Sequence, residues 1–307
     1  MKTPRTEQRN PRTRGLDRKS ALEILRALNR EDARVARAVR RELPKIARAV
    51  DAVARAFQRG GRLFYVGAGT SGRLALLDAA ECPPTFGTPP TLVQAILAGG
   101  PGAFRRAREG AEDSAAQGAR DLRRAGVTAR DVVVGLSASG TTPYVLGALA
   151  AARSKGALTV GVTANPGSPL ARRAAIAIAP ATGPEAIAGS TRLKAGTAQK
   201  MVLNLLSTAA MVRSGRVYDN WMVYVALTNR KLRRRGARIL EEAAGVGERA
   251  AEEALRHAEY DLPVALVMLK SGASTAEARR QLALSGGNVR QALEAARMHS
   301  MKTSRRR

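Results

Sequence analysis

The chain has little of several things, and each shortage excludes something. It has one cysteine, Cys82, so no internal disulfide framework holds it together, and the composition fits a reducing cytoplasm. Two histidines, His257 and His299, stand far from each other and from Cys82, so no metal site is readable. Aromatic residues make up 3% of the chain, too few for a base-stacking platform. No apolar run reaches the roughly 18 residues of a membrane-spanning helix. The first fifteen residues are basic but have no apolar stretch, so they do not read as a secretory signal. Acidic residues are also scarce, 25 against 52 Lys and Arg, for a formal charge of +27. Such a balance attracts phosphorylated ligands, anionic membranes or nucleic acid. Most of the excess sits on helix faces as arginine, with denser runs at Lys2–Lys19 and Lys302–Arg307. It reads as a solvated basic surface, not as a nucleic-acid reader.

What is present is a long strand–helix alternation. Residues 1–18 lack periodicity and are expected to form an extended basic arm. Ser20–Asn29 and Glu31–Arg59 have amphipathic helical spacing, with Asn29 or Asp32 placed to cap the second helix and Pro44 to kink or divide it. Buried-type strands follow at Leu63–Val66, Leu92–Leu97, Asp131–Leu136, Ala157–Val162 and Ala175–Ala179. Helices are expected from Arg73 to the Glu81-Cys82-Pro83-Pro84 punctuation, and over Phe104–Gln117, Tyr144–Lys155 and Lys194–Ser214. Beyond Tyr218 the pattern is wholly helical, and Ser274 is placed to cap one of five helices there. The fold class is therefore α/β: a three-layer αβα parallel sheet, with N-terminal helices and a small C-terminal helical domain. The divisions are 1–18 for the arm, 19–228 for the sheet domain with its N-terminal helices, and 229–307 for the helical region.

Ligands of such sheets bind at the carboxyl ends of the strands, and two glycine- and hydroxyl-rich loops lie there. The first, Gly67-Ala68-Gly69-Thr70-Ser71-Gly72, fits the dinucleotide fingerprint G-x-G-x-x-G. The fingerprint also needs a second strand ending in an acidic residue about 20 positions on, and Pro83–Gly87 is no strand. The second, Ser137-Ala138-Ser139-Gly140-Thr141-Thr142, offers four hydroxyls between a strand and a helix. One helix cap needs one such residue, not four, so the loop reads as a phosphate cradle. There is no Walker lysine, which argues against a nucleoside triphosphate.

Glu81 and Glu112 are the acid–base candidates, although on spacing alone either is as readily a helix-surface glutamate. A third cluster, Gly183 to Lys194, holds Glu185, Ser190, Thr191, Arg192 and Lys194 before a helix. Cations at a helix N-terminus are unfavourable without an anionic partner, which points to a ligand.

The runs VGAGTSGRLALLDAAECPPTFG, EGAEDS, GLSASGTTPYVLGAL, TANPGSPL and GSTRLKAGTAQKMVLN resemble the N-acetylmuramic acid 6-phosphate etherases, built on the sugar isomerase (SIS) fold. The likeness is continuous over most of residues 6–240. It implies cleavage of a D-lactyl ether by elimination and water addition, giving N-acetylglucosamine 6-phosphate and D-lactate in cell-wall amino-sugar recycling. It also implies the glutamate of ECPPT, Glu81, as acid and that of AED, Glu112, as the second catalytic carboxylate. Ser137, Ser139, Gly140 and Thr142 would hold the phosphate with Ser71, and Glu185 and Lys194 would complete the substrate contacts. No cofactor or metal is implied, and SIS proteins commonly work as homodimers. The acid role asks for a raised pKa at Glu81, for which burial is the usual cause. Two alternatives share the fold: a sugar-phosphate isomerase with Glu185 as base, and a non-catalytic sugar-phosphate-binding regulator. The Glu81/Glu112 pair, which neither needs, argues for the etherase. The basic arms are the one departure from the family pattern.

Overall fold

The computed structural model describes residues 3–106 and 108–304, and the side chains among them except those of 297 and 299–304. His299 and the whole basic run Lys302–Arg307 thus lie outside the described side chains. The chain divides into two compact units, Met1–Ala80 with Pro90–Ala210, and Glu81–Pro89 with Met211–Arg307.

The first unit begins with the arm. It is not extended. Residues 3–18 form three short 3-10 turns, with Thr6, Asn10 and Thr13 buried. Helices α1 (Ala21–Asp32), α2 (Val35–Arg40) and α3 (Leu43–Gln58) follow. The first helix begins where expected, fixed by a reciprocal capping box of Ser20 and Glu23, but it runs past Asn29 to Asp32. The second break comes just before Pro44, which occupies the first turn of α3, where a missing N–H costs nothing.

The sheet strands are β1 (Leu63–Gly67), β2 (Val93–Leu97), β3 (Val132–Leu136), β4 (Leu158–Val162) and β5 (Ile176–Ile178). All pairs are parallel, in the order β2-β1-β3-β4-β5. Every residue of β1 and β3 is buried, as strands covered on both faces must be. Each fully buried Val or Leu in them contributes about 1.5–3 kcal/mol. The crossovers are α4 (Gly69–Phe86), α5 (Ala115–Arg124), α6 (Pro143–Ser154) and α7 (Pro169–Arg173), and α8 (Lys194–Arg213) follows β5. Phe64, Val66, Val133, Tyr144, Val145, Leu149 and Leu170 form one continuous core. At the amino ends of β1 and β3, Asp131 accepts from the Arg62 backbone N–H at 2.8 Å and its guanidinium at 3.0 Å, and from the Thr128 N–H at 2.7 Å. Burial pushes this carboxyl up, but those bonds outweigh it and hold it below the ordinary range.

Two expectations fail here. Phe104–Gln117 is not a helix: a 3-10 turn ends at Phe104, the chain then turns irregularly, and α5 starts only after Ser114, whose hydroxyl accepts from the Gln117 N–H. Glu109, Glu112 and Asp113 therefore stand on a loop. Nor does α4 end at the Glu81–Pro84 punctuation, for it continues to Phe86 with Pro83 and Pro84 inside it. The prolines fall in its last turn, and the Gly87 N–H closes that turn on the Pro83 carbonyl at 2.9 Å.

The second unit holds α9 (Arg230–Ala244), α10 (Glu248–His257), α11 (Leu262–Ser271), α12 (Thr275–Leu284) and α13 (Val289–Ser304). They enclose their own core of Leu240, Leu255, Leu266, Leu282 and Leu293, among others. Ser274 caps α12, accepting from the Glu277 N–H.

Candidate active site

The sheet order reverses between β1 and β3, the switch point at which open parallel sheets bind ligands. Gly67 is paired with Leu136 in register. The two sequence-predicted loops, Gly67–Gly72 and Ser137–Thr142, therefore leave adjacent strands at the same level. Ser71 lies buried in the first turn of α4. The glycines of the first loop have a packing reason of their own. A Cβ at Gly72 would stand 2.3 Å from Leu97 Cδ1 and 2.7 Å from the Gly67 carbonyl oxygen, so helix and strand meet without side chains between them.

The second loop is a chain of hydroxyls. Ser137 Oγ lies 2.8 Å from Thr142 Oγ1 and 3.3 Å from Ser139 Oγ, and Ser139 Oγ lies 2.9 Å from Thr141 Oγ1. The Gly140 N–H donates to Ser137 Oγ at 3.0 Å, and the Thr141 N–H to Ser139 Oγ at 3.2 Å. Gly140 sits at φ +73°, and a Cβ there would stand 2.1 Å from Ser168 Oγ, so the turn admits glycine only. Short donors converging before a helix N-terminus suit a phosphate group.

The loop carrying Glu112 reaches the same place. Its backbone carbonyl accepts from the Tyr144 N–H at 3.0 Å, two residues beyond Thr142. Tyr144 also donates its hydroxyl to Asp121 of α5 at 2.7 Å, with burial and that carboxylate raising the phenol pKa. The Glu112 side chain is exposed. Glu81, on α4 and grouped with the second unit, is exposed too, so this single chain does not supply the burial that its acid role asks for.

Glu185 and Lys194 are brought together, but inward. Glu185 is fully buried and its carboxylate accepts from the Lys194 N–H at 3.0 Å and the Ala195 N–H at 2.9 Å, closing the start of α8. Burial pushes its pKa up against those two bonds. The Lys194 ammonium, also fully buried, donates to Glu31 at 2.5 Å and to the Thr182 carbonyl at 3.0 Å. The anionic partner inferred for the cations before α8 is thus, for Lys194, a carboxylate of the protein itself.

Glu31 is the residue that sequence reasoning missed. It also receives Arg12 at 2.5 and 3.0 Å and Asn10 Nδ2 at 2.9 Å. Those bonds, Arg12 foremost with Lys194 and Asn10 behind it, outweigh burial and bring its pKa down to about 2. A signal existed: Glu31 lies four residues after Ala27 on the buried face of α1. Asp78 was missed likewise. Tyr65 and Ser207 donate to it at 2.9 and 3.3 Å, and burial raises its pKa.

Comparison with known proteins now decides the family. The chain is 54% identical over 289 residues to an N-acetylmuramic acid 6-phosphate etherase of Cronobacter sakazakii, covering 94% of this chain and 97% of that one. It is 54% identical over 288 residues to the etherase of Yersinia pestis (strain Pestoides F), covering 94% and 98%. The chain belongs to the N-acetylmuramic acid 6-phosphate etherase family. The pattern of the glucokinase regulatory protein N-terminal SIS domain matches residues 45–153 of this family member, and that of the SIS domain matches residues 112–209. A solved structure from Bacteroides fragilis, of a protein assigned as a phosphosugar isomerase involved in capsule formation, overlaps 66% of the chain and 95% of its own at 20% identity, with a TM-score of 0.49.

Proposed function

We propose that the chain cleaves the D-lactyl ether of N-acetylmuramic acid 6-phosphate, and that the work is divided among the residues as follows. The hydroxyls of Ser137, Ser139 and Thr142, with Ser71 and the Gly140 turn, hold the 6-phosphate. In the ring-opened sugar the C1 aldehyde acidifies the C2 proton. The Glu112 carboxylate takes that proton, the C2–C3 double bond forms, and the C3–O bond breaks. Glu81 protonates the departing oxygen, which leaves as D-lactate. Ionised Glu81 then takes a proton from water as the hydroxyl adds to C3, and Glu112 returns a proton to C2. The sum is ether plus water giving N-acetylglucosamine 6-phosphate and D-lactate, a carbon–oxygen lyase reaction that consumes no redox equivalents. Glu185 and Lys194 serve by fixing the start of α8 beside the site.

The observation that carries this reading is the 54% identity over 94% of the chain. The isomerase alternative is weakened by Glu185, whose buried carboxylate is engaged by two backbone N–H groups. We place the enzyme in the cytoplasm, as a homodimer working in amino-sugar recycling and without a nucleic-acid partner. Among the described residues no helix is long and apolar enough to cross a membrane. The homodimer is supported by an open groove of about 1160 Å³ in the first unit, walled by exposed Leu77 and Phe104 and bordered by Gly110, Ala111 and Ser114 around Glu112. A second copy seated there would dry the Glu112 loop. The test is to incubate the protein with N-acetylmuramic acid 6-phosphate and assay D-lactate. Intact sugar, or a ketose formed without lactate, sinks the reading.

A further inference from the structure

The Ser137–Thr142 loop is held from behind by a layer of contacts that the chemistry does not itself use. The Ala138 carbonyl accepts three hydrogen bonds: from the Ala164 N–H at 3.0 Å, Thr163 Oγ1 at 3.1 Å and Asn165 Nδ2 at 2.9 Å. The Gly140 carbonyl accepts from the Leu170 N–H at 2.9 Å. A peptide unit is planar and trans, so its C=O and N–H point in opposite directions. Pinning the Ala138 and Gly140 carbonyls toward the loop after β4 therefore turns the Ser139 and Thr141 N–H groups the other way. The Thr141 N–H does meet the hydroxyl chain, at Ser139 Oγ.

Asn165 is the one side-chain amide in this layer, and it is itself held by the N-terminal arm. Its Oδ1 accepts from the Arg5 N–H at 2.8 Å, and its Nδ2 donates a second hydrogen bond to Thr6 Oγ1 at 3.2 Å. Asn165 is 7% exposed and Thr6 fully buried. The carboxamide thus makes three hydrogen bonds, one to the phosphate loop and two to the arm. The arm is in turn anchored where the loop is not: Thr13 Oγ1 donates to the Ala186 carbonyl at 2.8 Å, Asn10 Nδ2 to that of Pro184 at 3.2 Å, and Arg12 pairs with Glu31.

We propose that Asn165 is a positioning residue for phosphate binding, and that the arm, through Arg5 and Thr6, sets its orientation. The arm is then part of the substrate site at one remove, not a detachable basic tail. This rests on the reading of Ser137–Thr142 as the phosphate cradle, so the experiment carries an arm for each. The probe is the product, N-acetylglucosamine 6-phosphate, titrated by calorimetry, with turnover measured alongside.

Ser137→Ala tests the cradle and should weaken product binding. Asn165→Asp keeps shape and the Oδ1 acceptor but sets an oxygen against the Ala138 carbonyl. Its Kd should rise at least about tenfold, roughly 1.4 kcal/mol, while kcat at saturation stays within about threefold. Thr6→Val removes the acceptor for Asn165 at nearly constant volume. It should raise Kd about threefold to fivefold, and Thr6→Ser should restore it. A loss of stability alone would lower active enzyme and leave Kd unmoved. Wild-type affinity in Asn165→Asp or in Thr6→Val, with Ser137→Ala weakened, overturns the proposal. Should Asn165→Asp not fold, the Thr6 pair decides by itself. Wild-type affinity in Ser137→Ala overturns the cradle reading instead.

Discussion

Replacing Glu31 by glutamine removes one charge from a cluster in which Arg12 and Lys194 share a single carboxylate. Glutamine keeps the shape and one acceptor oxygen. The Lys194 ammonium, with side-chain exposure of 1%, then stays buried among neutral acceptors, with no counter-charge within bonding distance. Breaking a buried pair from one side costs about 3–5 kcal/mol. The lowered pKa of Glu31 gives a second figure for the same contacts. The Glu31 carboxyl falls from an ordinary 4.5 to about 2, and at about 1.4 kcal/mol per unit that is on the order of 3 kcal/mol. Because the folded value is the lower one, this stabilisation is complete above about pH 4.5 and drains away as the pH falls toward 2. For a unit of this size the loss corresponds to a melting point lower by roughly 6–20 °C. Calorimetry and urea denaturation of the wild type, Glu31→Gln, Lys194→Met and the double variant measure it. The double variant should be more stable than Glu31→Gln, with a coupling of at least about 1.5 kcal/mol, since its cation is gone too. The wild type should lose its advantage over Glu31→Gln between about pH 4.5 and 2. A cost under about 1 kcal/mol, or no coupling to Lys194, refutes the reasoning.

Three further outcomes are expected. Unphosphorylated N-acetylmuramic acid should turn over at least about a hundredfold less well than the 6-phosphate, because several charge-assisted bonds of about 1.5–3 kcal/mol each are lost; comparable turnover removes Ser137–Thr142 from the phosphate site. Glu112→Gln should stop both lactate release and exchange of the C2 hydrogen in deuterated water, whereas Glu81→Gln should stop ether cleavage yet leave some exchange, each loss being at least about a hundredfold. NMR in deuterated buffer reads this, and the opposite pattern reverses the two roles. Leu77→Asp sets a charge on the open groove beside α4 and should shift the protein toward monomer in sedimentation velocity; an unchanged dimer places the subunit contact elsewhere.

All five strands were legible to within a residue of their observed ends, because each is a short, largely apolar run closed within two residues by Gly, Ser, Thr or Pro. The loops at the carboxyl ends of β1 and β3 were legible for a related reason, lying where an apolar run breaks into glycines and hydroxyls. Sequence spacing misjudged the segments whose structure depends on distant partners. Glu112 has helix-compatible neighbours, yet its backbone is captured by Tyr144. Residues 3–18 have no periodicity of their own, and their conformation comes from bonds to residues 160 to 174 positions away. Lys194 read as a ligand-facing cation because its counter-ion, Glu31, is separated from it by 163 residues.

That same separation has a consequence for how the protein comes into being. The arm is made well before the groups that fix it. At about 5–20 residues per second, the 163 residues between Glu31 and Lys194 take roughly 8–33 s to synthesise. Arg12 and Asn10 can pair with Glu31 from the start of that interval, but Thr6 and Thr13 wait for Asn165 and Ala186, made near its end. Contacts so distant in sequence close late and slowly. Completion of the first unit therefore waits on α8, and the newborn chain carries an incompletely fastened cationic arm until that helix has left the ribosome.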